Sequence, residues 1–345
     1  MSWTRDAYGA HGSGAVDGPR REWYFAEGAQ GYFDTYLLLA NPGERPATVT
    51  VTFLRELDGP IERKMTVAPT SRFTFYAGDD PELVDRAFSM AIASDEPVVA
   101  ERAMYWSDGR TFWVGGHESA GVGAPAKEWF HAEGATGPYF DTYLLVGNPN
   151  VEPALLTIRY LLPSGVSITR TRSLPGRSRL TIDVEKQDPM LADTAVSVTI
   201  SATRPVVSER SMYWPGTSAS WQEAHNSFGV TSTALRWGLA EGCAGGTRRA
   251  ETWVLLANPS TSPADVRVTF LGESGPHAPI AVTVPPTGRY TVNAGADVPA
   301  LSGTCFGAIV ESTNGVPIAV ERALYWDARS VHWAAGTNAT ATPLR

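Results

Sequence analysis

The chain repeats one pattern three times, and each copy has the length of a domain. Every copy opens with a tryptophan followed shortly by Ala-Glu-Gly, and the opening residues Trp23, Trp129 and Trp237 lie 106 and 108 residues apart. Nine of the eleven tryptophans fall in register between the copies. Because such units are far longer than those of solenoid proteins, each copy is expected to fold as a domain. The predicted limits are 22–126, 127–234 and 235–345, after a polar tail of residues 1–21.

The hydrophobic pattern inside a copy has a period of two. Val49, Val51 and Phe53 alternate with threonines, and the other copies keep this alternation, which is typical of a half-buried strand. About eight strand-like runs per copy are separated by turn signals, and the only helical candidate is a turn near 81–87. The sequence therefore predicts an all-β protein of three tandem antiparallel jelly-roll-like β-sandwich domains. Short linkers allow them a pseudo-threefold arrangement.

Composition excludes two classes of partner. The net charge is −8 and no basic run occurs, whereas a nucleic-acid binder needs clustered Lys and Arg. No stretch reaches the roughly 20 apolar residues that span a bilayer, so we expect no membrane insertion. The amino terminus shows no secretory signal. The protein is therefore expected in the cytoplasm, or at the cell surface if a signal has been removed.

The two cysteines both lie in the third copy. Cys243 and Cys305 are too few for a disulfide framework. They either form one bridge within the copy or are two small buried residues.

The most unusual segment is a strand that places two charges among apolar residues. This Glu-Arg strand, with the pattern Glu-Arg-x-x-Tyr-Trp, occupies residues 101–106, 209–214 and 321–326. Glu101 and Tyr105 face one side of the strand and Arg102 faces the other, and a buried charge needs a partner. The expected partners are the Ala-Glu-Gly carboxylates and a second repeated arginine, found at Arg72, Arg179 and Arg289.

Three interpretations of the Glu-Arg strand stay open. In the first interpretation, its charges form ion pairs that hold strands together inside each core, and its tyrosine and tryptophan pack in that core. Alternatively, one face is the floor of a pocket, where the aromatic rings stack on a flat or sugar-like ligand that the charges orient. In the third interpretation, these faces meet between domains.

The order of these motifs resembles that of a known family. The motifs run in this order: Trp-x-x-Ala-Glu-Gly, an aliphatic strand ending in Asn, a strand reaching Val-x-Pro, the strand with Arg72, Arg179 or Arg289, and then Pro-Val-Val or Pro-Ile-Ala-Val. This order is similar to that of the sensory rhodopsin transducer family. It also resembles that of tandem repeats of bacterial surface proteins. The resemblance implies an eight-stranded jelly-roll-like sandwich, often oligomeric, with a small-molecule or sugar-binding role and no catalytic residue. The chain departs from the transducer in its Glu-Arg strand, where that family has a Gln-His-type strand.

The sequence favours a non-enzymatic binding protein for a carbohydrate or a small polar metabolite, with no cofactor. A homo-oligomer is compatible with this function. The alternatives are a purely structural surface repeat and an enzyme with a single site between copies. The candidate ligand-binding residues are Glu27, Arg72, Glu101, Tyr105 and Trp113 in the first copy, Glu133, Arg179, Glu209, Tyr213 and Trp221 in the second, and Glu241, Arg289, Glu321, Tyr325 and Trp333 in the third.

Patterns for catalysis or metal binding are weaker. Paired carboxylates such as Glu27 and Asp34 would suit glycoside hydrolysis, but three copies of a complete active site would be unusual for an enzyme. His117 and His225 occur in Trp-x-x-x-His-x-Ser, which the third copy loses at Thr337. A zinc site needs three or four converging ligands, and no such set recurs.

Overall fold

A computed structural model describes residues 11–12, 16–107, 113–215, 221–328 and 330–345. Strands make up 62% of the structure and helices 4%, and the named strands pair antiparallel. Among the described residues, no helix is long and apolar enough to cross a membrane. The all-β, sandwich-type fold class is therefore confirmed, whereas the domain limits stay a prediction. We call the three copies repeats 1, 2 and 3.

Repeat 1 contains seven strands and one turn of 3-10 helix at Ala77–Asp79. The strands are β1 (Arg20–Phe25), β2 (Phe33–Asn41), β3 (Ala47–Arg55), β4 (Ile61–Val67), β5 (Ser71–Tyr76), β6 (Phe88–Trp106) and β7 (Gly115–Ala120).

The long strand β6 belongs to two sheets. Its first half pairs with β1 and β3, and its second half pairs with β2 and β7. Strand β4 extends the first sheet beside β3, and β5 extends the second beside β2. Pro97 lies between the halves, where a residue that cannot donate to the ladder is tolerated. Side chains of both sheets meet in one core, which includes Trp23, Leu37 and Val51.

Repeat 2 has the same strands in the same order, and β13 takes the place of β6. A 3-10 turn lies at Pro189–Leu191. The strands are β8 (Ala126–His131), β9 (Asp141–Asn148), β10 (Ala154–Leu161), β11 (Ser167–Leu174), β12 (Ser178–Asp183), β13 (Ser197–Trp214) and β14 (Glu223–Phe228).

Repeat 3 differs because its long strand is divided into β23 and β24. Gly315, with a φ of 80°, lies in the turn between them. The elements are β15 (Arg236–Leu239), β16 (Cys243–Ala244), β17 (Glu251–Asn258), β18 (Ala264–Gly272), β19 (Gly275–Pro276), β20 (Ile280–Val284), β21 (Gly288–Asn293), α1 (Ala294–Asp297), a 3-10 turn (Pro299–Leu301), β22 (Thr304–Cys305), β23 (Gly307–Ser312), β24 (Ala319–Ala328), β25 (Val331–Thr340) and β26 (Thr342–Pro343).

Two repeated side chains explain why the copies share this geometry. The opening tryptophan donates from its indole to the middle of the long strand, as Trp129 does to the Val206 carbonyl at 2.9 Å. The asparagine of Asn-Pro is buried, and Asn148 donates to the carbonyls of Glu152 and Leu174 at 3.0 and 3.2 Å. Equivalent bonds occur in repeats 1 and 3. These motifs therefore organise the fold.

The alternation predicted for the third strand is confirmed, since Val49, Val51 and Phe53 are fully buried. The structure has seven strands rather than about eight in repeats 1 and 2, because the runs on both sides of the proline form one strand. Residues 81–85 form turns and no helix. A disulfide joins Cys243 and Cys305 across β16 and β22, which settles the alternative that the sequence left open.

Repeat 2 lies between the other two repeats. Its last strand, β14, packs against β7 of repeat 1 and β25 of repeat 3. Apolar side chains also cross the boundaries, such as Leu145 against Ala26 and Leu255 against Ala132. We call these boundaries junction 1–2 and junction 2–3.

Candidate functional site: the junctions between repeats

At junction 1–2, the glutamate of the Glu-Arg strand of repeat 2 inserts into repeat 1. Glu209 accepts hydrogen bonds from the backbone N–H groups of Ala26 and Glu27 at 2.7 and 3.1 Å. It also forms an ion pair of 2.9 Å with Arg102 and accepts from Asn226. Its side chain is therefore fully satisfied although it is completely buried.

The Ala-Glu-Gly carboxylate of repeat 1 completes this network. Glu27 lies 3.0 Å from Arg102 and accepts from the hydroxyls of Ser211 and Tyr213 at 2.6 and 2.9 Å. Arg102 thus serves two carboxylates, one from its own repeat and one from the next.

Junction 2–3 repeats the arrangement with the corresponding residues. Glu321 of repeat 3 accepts from the Ala132 N–H at 2.8 Å and pairs with Arg210 at 2.9 Å. Arg210 also pairs with Glu133 at 2.8 Å, and Glu133 accepts from the Tyr325 hydroxyl at 3.1 Å. The interpretation in which Glu-Arg strands meet between domains describes this placement.

Burial and charge act against each other in these networks. Burial raises the pKa of Glu209 and of Glu321, although the neighbouring arginines act in the opposite direction. Burial also opposes the ionisation of Glu133, but His225 and Arg210 outweigh it and lower the pKa of Glu133 to about 2. At junction 2–3, where Arg210 faces both carboxylates, the pKa of Glu321 is raised and that of Glu133 is lowered, so the carboxylate of the incoming strand keeps its proton more readily.

Beside each network lies a pocket with walls from two repeats. The first pocket, at junction 1–2, has a volume of about 240 Å³, and the second, at junction 2–3, has a volume of about 300 Å³. The leading repeat supplies Glu27, Gly28, Ala29, Phe33, Ala87 and Met104 to the first pocket, and the following repeat supplies Tyr143, Leu145, Arg179, Thr181, Tyr213 and Trp221. The second is lined by the equivalents Glu133, Gly134, Ala135, Phe140, Ala195, Met212, Trp253, Leu255, Arg289, Thr291, Tyr325 and Trp333, with Ala323.

Each pocket contains an arginine without a charged partner among the described residues. Arg179 and Arg289 are each 2% exposed. The Nε of Arg179 has no hydrogen-bond partner, and Arg289 donates from its Nε to the Ser197 hydroxyl at 3.1 Å. Burial lowers the pKa of Arg179, and it lowers the pKa of Arg289 to about 10. Both pockets therefore disfavour an unpaired positive charge.

A stacked aromatic pair also lines each pocket. The rings of Tyr213 and Trp221 lie 4.3 Å apart at an interplanar angle of 26°, and those of Tyr325 and Trp333 lie 4.9 Å apart at 26°. In the second pocket, the indole nitrogens of Trp253 and Trp333 are buried without a hydrogen-bond partner. In the first pocket, by contrast, Trp221 donates to a neighbouring aspartate. The second pocket therefore has more unused donors.

The structure brings ten of the fifteen predicted site residues to the junctions, in two groups of five. These are Glu27, Arg179, Glu209, Tyr213 and Trp221 at junction 1–2, and Glu133, Arg289, Glu321, Tyr325 and Trp333 at junction 2–3. Each group mixes residues of two repeats. The other five, Arg72, Glu101, Tyr105, Trp113 and Glu241, line neither pocket.

Two predicted pairings of the Glu-Arg strand have different outcomes. Its arginine pairs with the Ala-Glu-Gly carboxylate of its own repeat, as in Arg322 with Glu241 at 3.3 Å. Its glutamate pairs with the arginine of the preceding Glu-Arg strand and not with the second repeated arginine. The second repeated arginine, Arg179 or Arg289, lines a pocket instead.

Sequence reasoning missed the apolar half of each pocket. Phe33 and Met104 in the first pocket, and Phe140 and Met212 in the second, come from the leading repeat. The glycine of Ala-Glu-Gly has a steric role, because a Cβ on Gly134 would lie 2.4 Å from the Val196 carbonyl oxygen. Nothing in a single copy reveals that these side chains face another copy.

The two repeated histidines lie in the junction networks. His225 lies 3.0 Å from the Tyr325 hydroxyl and 3.4 Å from Glu133, and His117 lies 3.6 Å from Glu27. In the part of the chain that the structure describes, no group of three or more potential ligands could hold a metal ion.

Comparisons with known proteins give only distant likenesses. No protein-family model matches the chain, and no curated protein matches it. Among solved structures, it is similar to Thermotoga maritima 1070, with 19% identity, 31% of this chain and 96% of that chain covered, and a TM-score of 0.28. The Anabaena sensory rhodopsin transducer gives 19% identity, 26% and 99% coverage and a TM-score of 0.23. A partial amino-terminal region of an enterococcal surface protein gives 7% identity, 94% and 89% coverage and a TM-score of 0.22.

Proposed function

We propose that each junction pocket binds a small polar molecule of the carbohydrate class that carries one negatively charged group. The observation that carries this proposal is the pair of buried arginines, Arg179 and Arg289, which line the pockets without a charged partner among the described residues. An isolated buried charge is costly, and a carboxylate or phosphate can pair with guanidinium through two parallel hydrogen bonds. A bound anion would therefore supply the missing partner.

The remaining walls suit the rest of such a ligand. Stacked pairs such as Tyr213 and Trp221 offer flat aromatic surfaces on which the apolar face of a sugar ring can pack. Volumes of 240 and 300 Å³ lie at the small end of ligand pockets, which favours a single sugar unit over an oligosaccharide. In the second pocket, the unused indole N–H groups of Trp253 and Trp333 would donate to hydroxyl or carboxylate oxygens of the ligand.

Calorimetric titration with a sugar acid and its neutral analogue tests the proposal. In a sample dilute enough to contain single chains, methyl glucuronide, which has a carboxylate, is expected to saturate two sites per chain, and methyl glucoside is expected to bind more weakly. Arg179→Met should remove one site and Arg289→Met the other. Arg72→Met, at the exposed equivalent in repeat 1, is the matched control and should leave both sites intact. The absence of saturable binding across a panel of neutral and acidic sugars would refute the proposal.

A structural scaffold is the second candidate, and the buried ion networks favour it. Glu209 and Glu321 join consecutive repeats through contacts that use no ligand. In that case, Arg179→Met and Arg289→Met would alter stability without a change in any binding isotherm. The same variants therefore separate the two functions.

A further inference from the structure

Repeat 1 and repeat 3 each carry one half of the junction surface that the two internal junctions leave unused. At a junction, the sheet face of the following repeat, which carries the glutamate, meets the Ala-Glu-Gly edge and the Glu-Arg arginine of the leading repeat. Neither of the two junctions uses the glutamate face of repeat 1 or the Ala-Glu-Gly edge of repeat 3. We call the two surfaces the repeat 1 end face (Ala40, Arg72 and Glu101) and the repeat 3 end face (Ala240, Glu241 and Arg322).

Exposure distinguishes these end faces from their internal equivalents. On the repeat 1 end face, Arg72 is exposed and Glu101 is half-buried, whereas Arg179 and Arg289 are 2% exposed and Glu209 is 0% exposed. Ala40 is exposed too, although its equivalent in repeat 3, Ala257, is buried; both residues face the repeated arginine across the same pair of strands.

The repeat 3 end face shows the complementary contrast. Ala240 is exposed and the Glu241 side chain is 65% exposed, whereas the equivalent Ala132 and Glu133 are buried. The face also contains an orphaned donor: Arg322 is 5% exposed, and its Nη1 has no hydrogen-bond partner. In repeat 1, the Nη1 of the equivalent Arg102 donates to Glu209, the incoming glutamate of the next repeat.

We infer that a second copy of this chain docks its repeat 1 end face onto the repeat 3 end face of the first. The inserted Glu101 then pairs with Arg322 and accepts from the Ala240 N–H, as Glu209 and Glu321 do inside each chain. Charge complementarity and continuity with a junction that already occurs twice select this occupant. Arg322 pairs with Glu241 at 3.3 Å through its Nη2, and its Nη1, which has no hydrogen-bond partner among the described residues, is the donor for a second carboxylate.

The proposed contact is heterologous, because two different surfaces meet. Such contacts close into rings or extend as open chains of copies. If the proposed function holds, each contact between copies also creates a further pocket, with Arg72 on one wall. Its other wall would contain the Cys243–Cys305 disulfide, because the alanine pairs Ala29–Ala87 and Ala135–Ala195 occupy that position in the inner pockets.

Sedimentation equilibrium of the full chain, without ligand, tests the association. The wild-type protein is expected to show an average mass that rises with concentration above the 37.1 kDa of one chain. Ala40→Arg blocks the repeat 1 end face and Ala240→Arg blocks the repeat 3 end face; both residues are exposed, so these variants should fold. Each variant alone is expected to stay at the mass of one chain.

Mixing the two variants provides the decisive measurement. One variant retains an intact repeat 3 end face and the other an intact repeat 1 end face, so the mixture should form a particle of two chains and no larger species. Leu57→Arg, at a side chain 92% exposed elsewhere on repeat 1, is the matched control and should associate like the wild type. A wild-type mass of one chain at every concentration overturns the proposal, and so does association by either single variant. These outcomes do not depend on whether a sugar acid binds.

Discussion

Replacing Glu209 with alanine should weaken the contact between repeat 1 and repeat 2 and lower the free energy of unfolding. The substitution leaves Arg102 with one carboxylate in place of two and removes the acceptor of the Ala26 N–H at 2.7 Å and of the Glu27 N–H at 3.1 Å. Breaking a buried ion pair by removing one partner costs about 3–5 kcal/mol. The retained Arg102–Glu27 pair should keep the loss near the lower value, at about 3 kcal/mol.

Repeat 1 supplies the matched control at the same position of the motif. Glu101 is half-buried on the repeat 1 end face, and within one chain it forms neither of the contacts that Glu209 makes to a preceding repeat. Glu101→Ala should therefore change the free energy of unfolding by less than about 1 kcal/mol. A dilute sample keeps association between copies from contributing to this difference.

Two measurements check the difference between these variants. Urea unfolding followed by tryptophan fluorescence should show a lower midpoint for Glu209→Ala than for Glu101→Ala. Hydrogen exchange should show a selective loss of protection at the amides of Ala26 and Glu27, because both lose their acceptor. If both substitutions lower the midpoint equally, or if these amides stay protected, the glutamate does not lock the junction.

Three further predictions concern stability. Burial raises the pKa of Glu223, whose oxygens have no hydrogen-bond partner among the described residues; the folded state thus holds a proton that the unfolded chain releases, and stability falls as pH rises above about 4.5 by up to about 1.4 kcal/mol per pH unit. Melting curves should show Glu223→Gln to be more stable than the wild type at pH 7, with the gain shrinking towards pH 4, and an equal gain at both values would contradict this. Cys243→Ser opens a loop spanning a sequence separation of 62 residues and should cost about 4 kcal/mol in repeat 3 by urea unfolding, while the wild type under reducing conditions should match the variant. Gly134→Ala should cost about 1–3 kcal/mol in the same assay, because its Cβ would meet a backbone oxygen at 2.4 Å; Gly18→Ala, with open space around it, should be neutral.

The sequence predicts the fold class because local rules determine it. The alternation of Val49, Val51 and Phe53 places three side chains on one face, and the core does bury them. The segment around Pro97 is harder to predict, since its two flanking runs look like separate strands but continue as one. Turn signals alone do not distinguish a bend within a strand from a loop between strands.

The composition of the site was predictable, but its assembly was not. The repetition of charged and aromatic residues in strands indicates a shared constraint and singles out the fifteen candidates. Ten of them lie at the junctions. The sequence does not say that Glu27 meets Tyr213 of another repeat, with their hydroxyl-to-carboxylate distance of 2.9 Å. Contacts between copies depend on how the repeats pack, and no pattern within a single copy specifies that packing.

Because each repeat carries only half of a pocket on each of two faces, the number of pockets does not equal the number of repeats. If every repeat contained a complete site, three copies would provide three equivalent sites, and Arg72 would be as buried as Arg179. It is exposed instead, while Arg179 is 2% exposed, because a site is completed only where one repeat follows another. The described part of this chain therefore holds two pockets of the junction type. A further pocket of the junction type requires a surface from another copy, so if the proposed function holds and copies associate end to end, the number of binding sites per chain should depend on protein concentration.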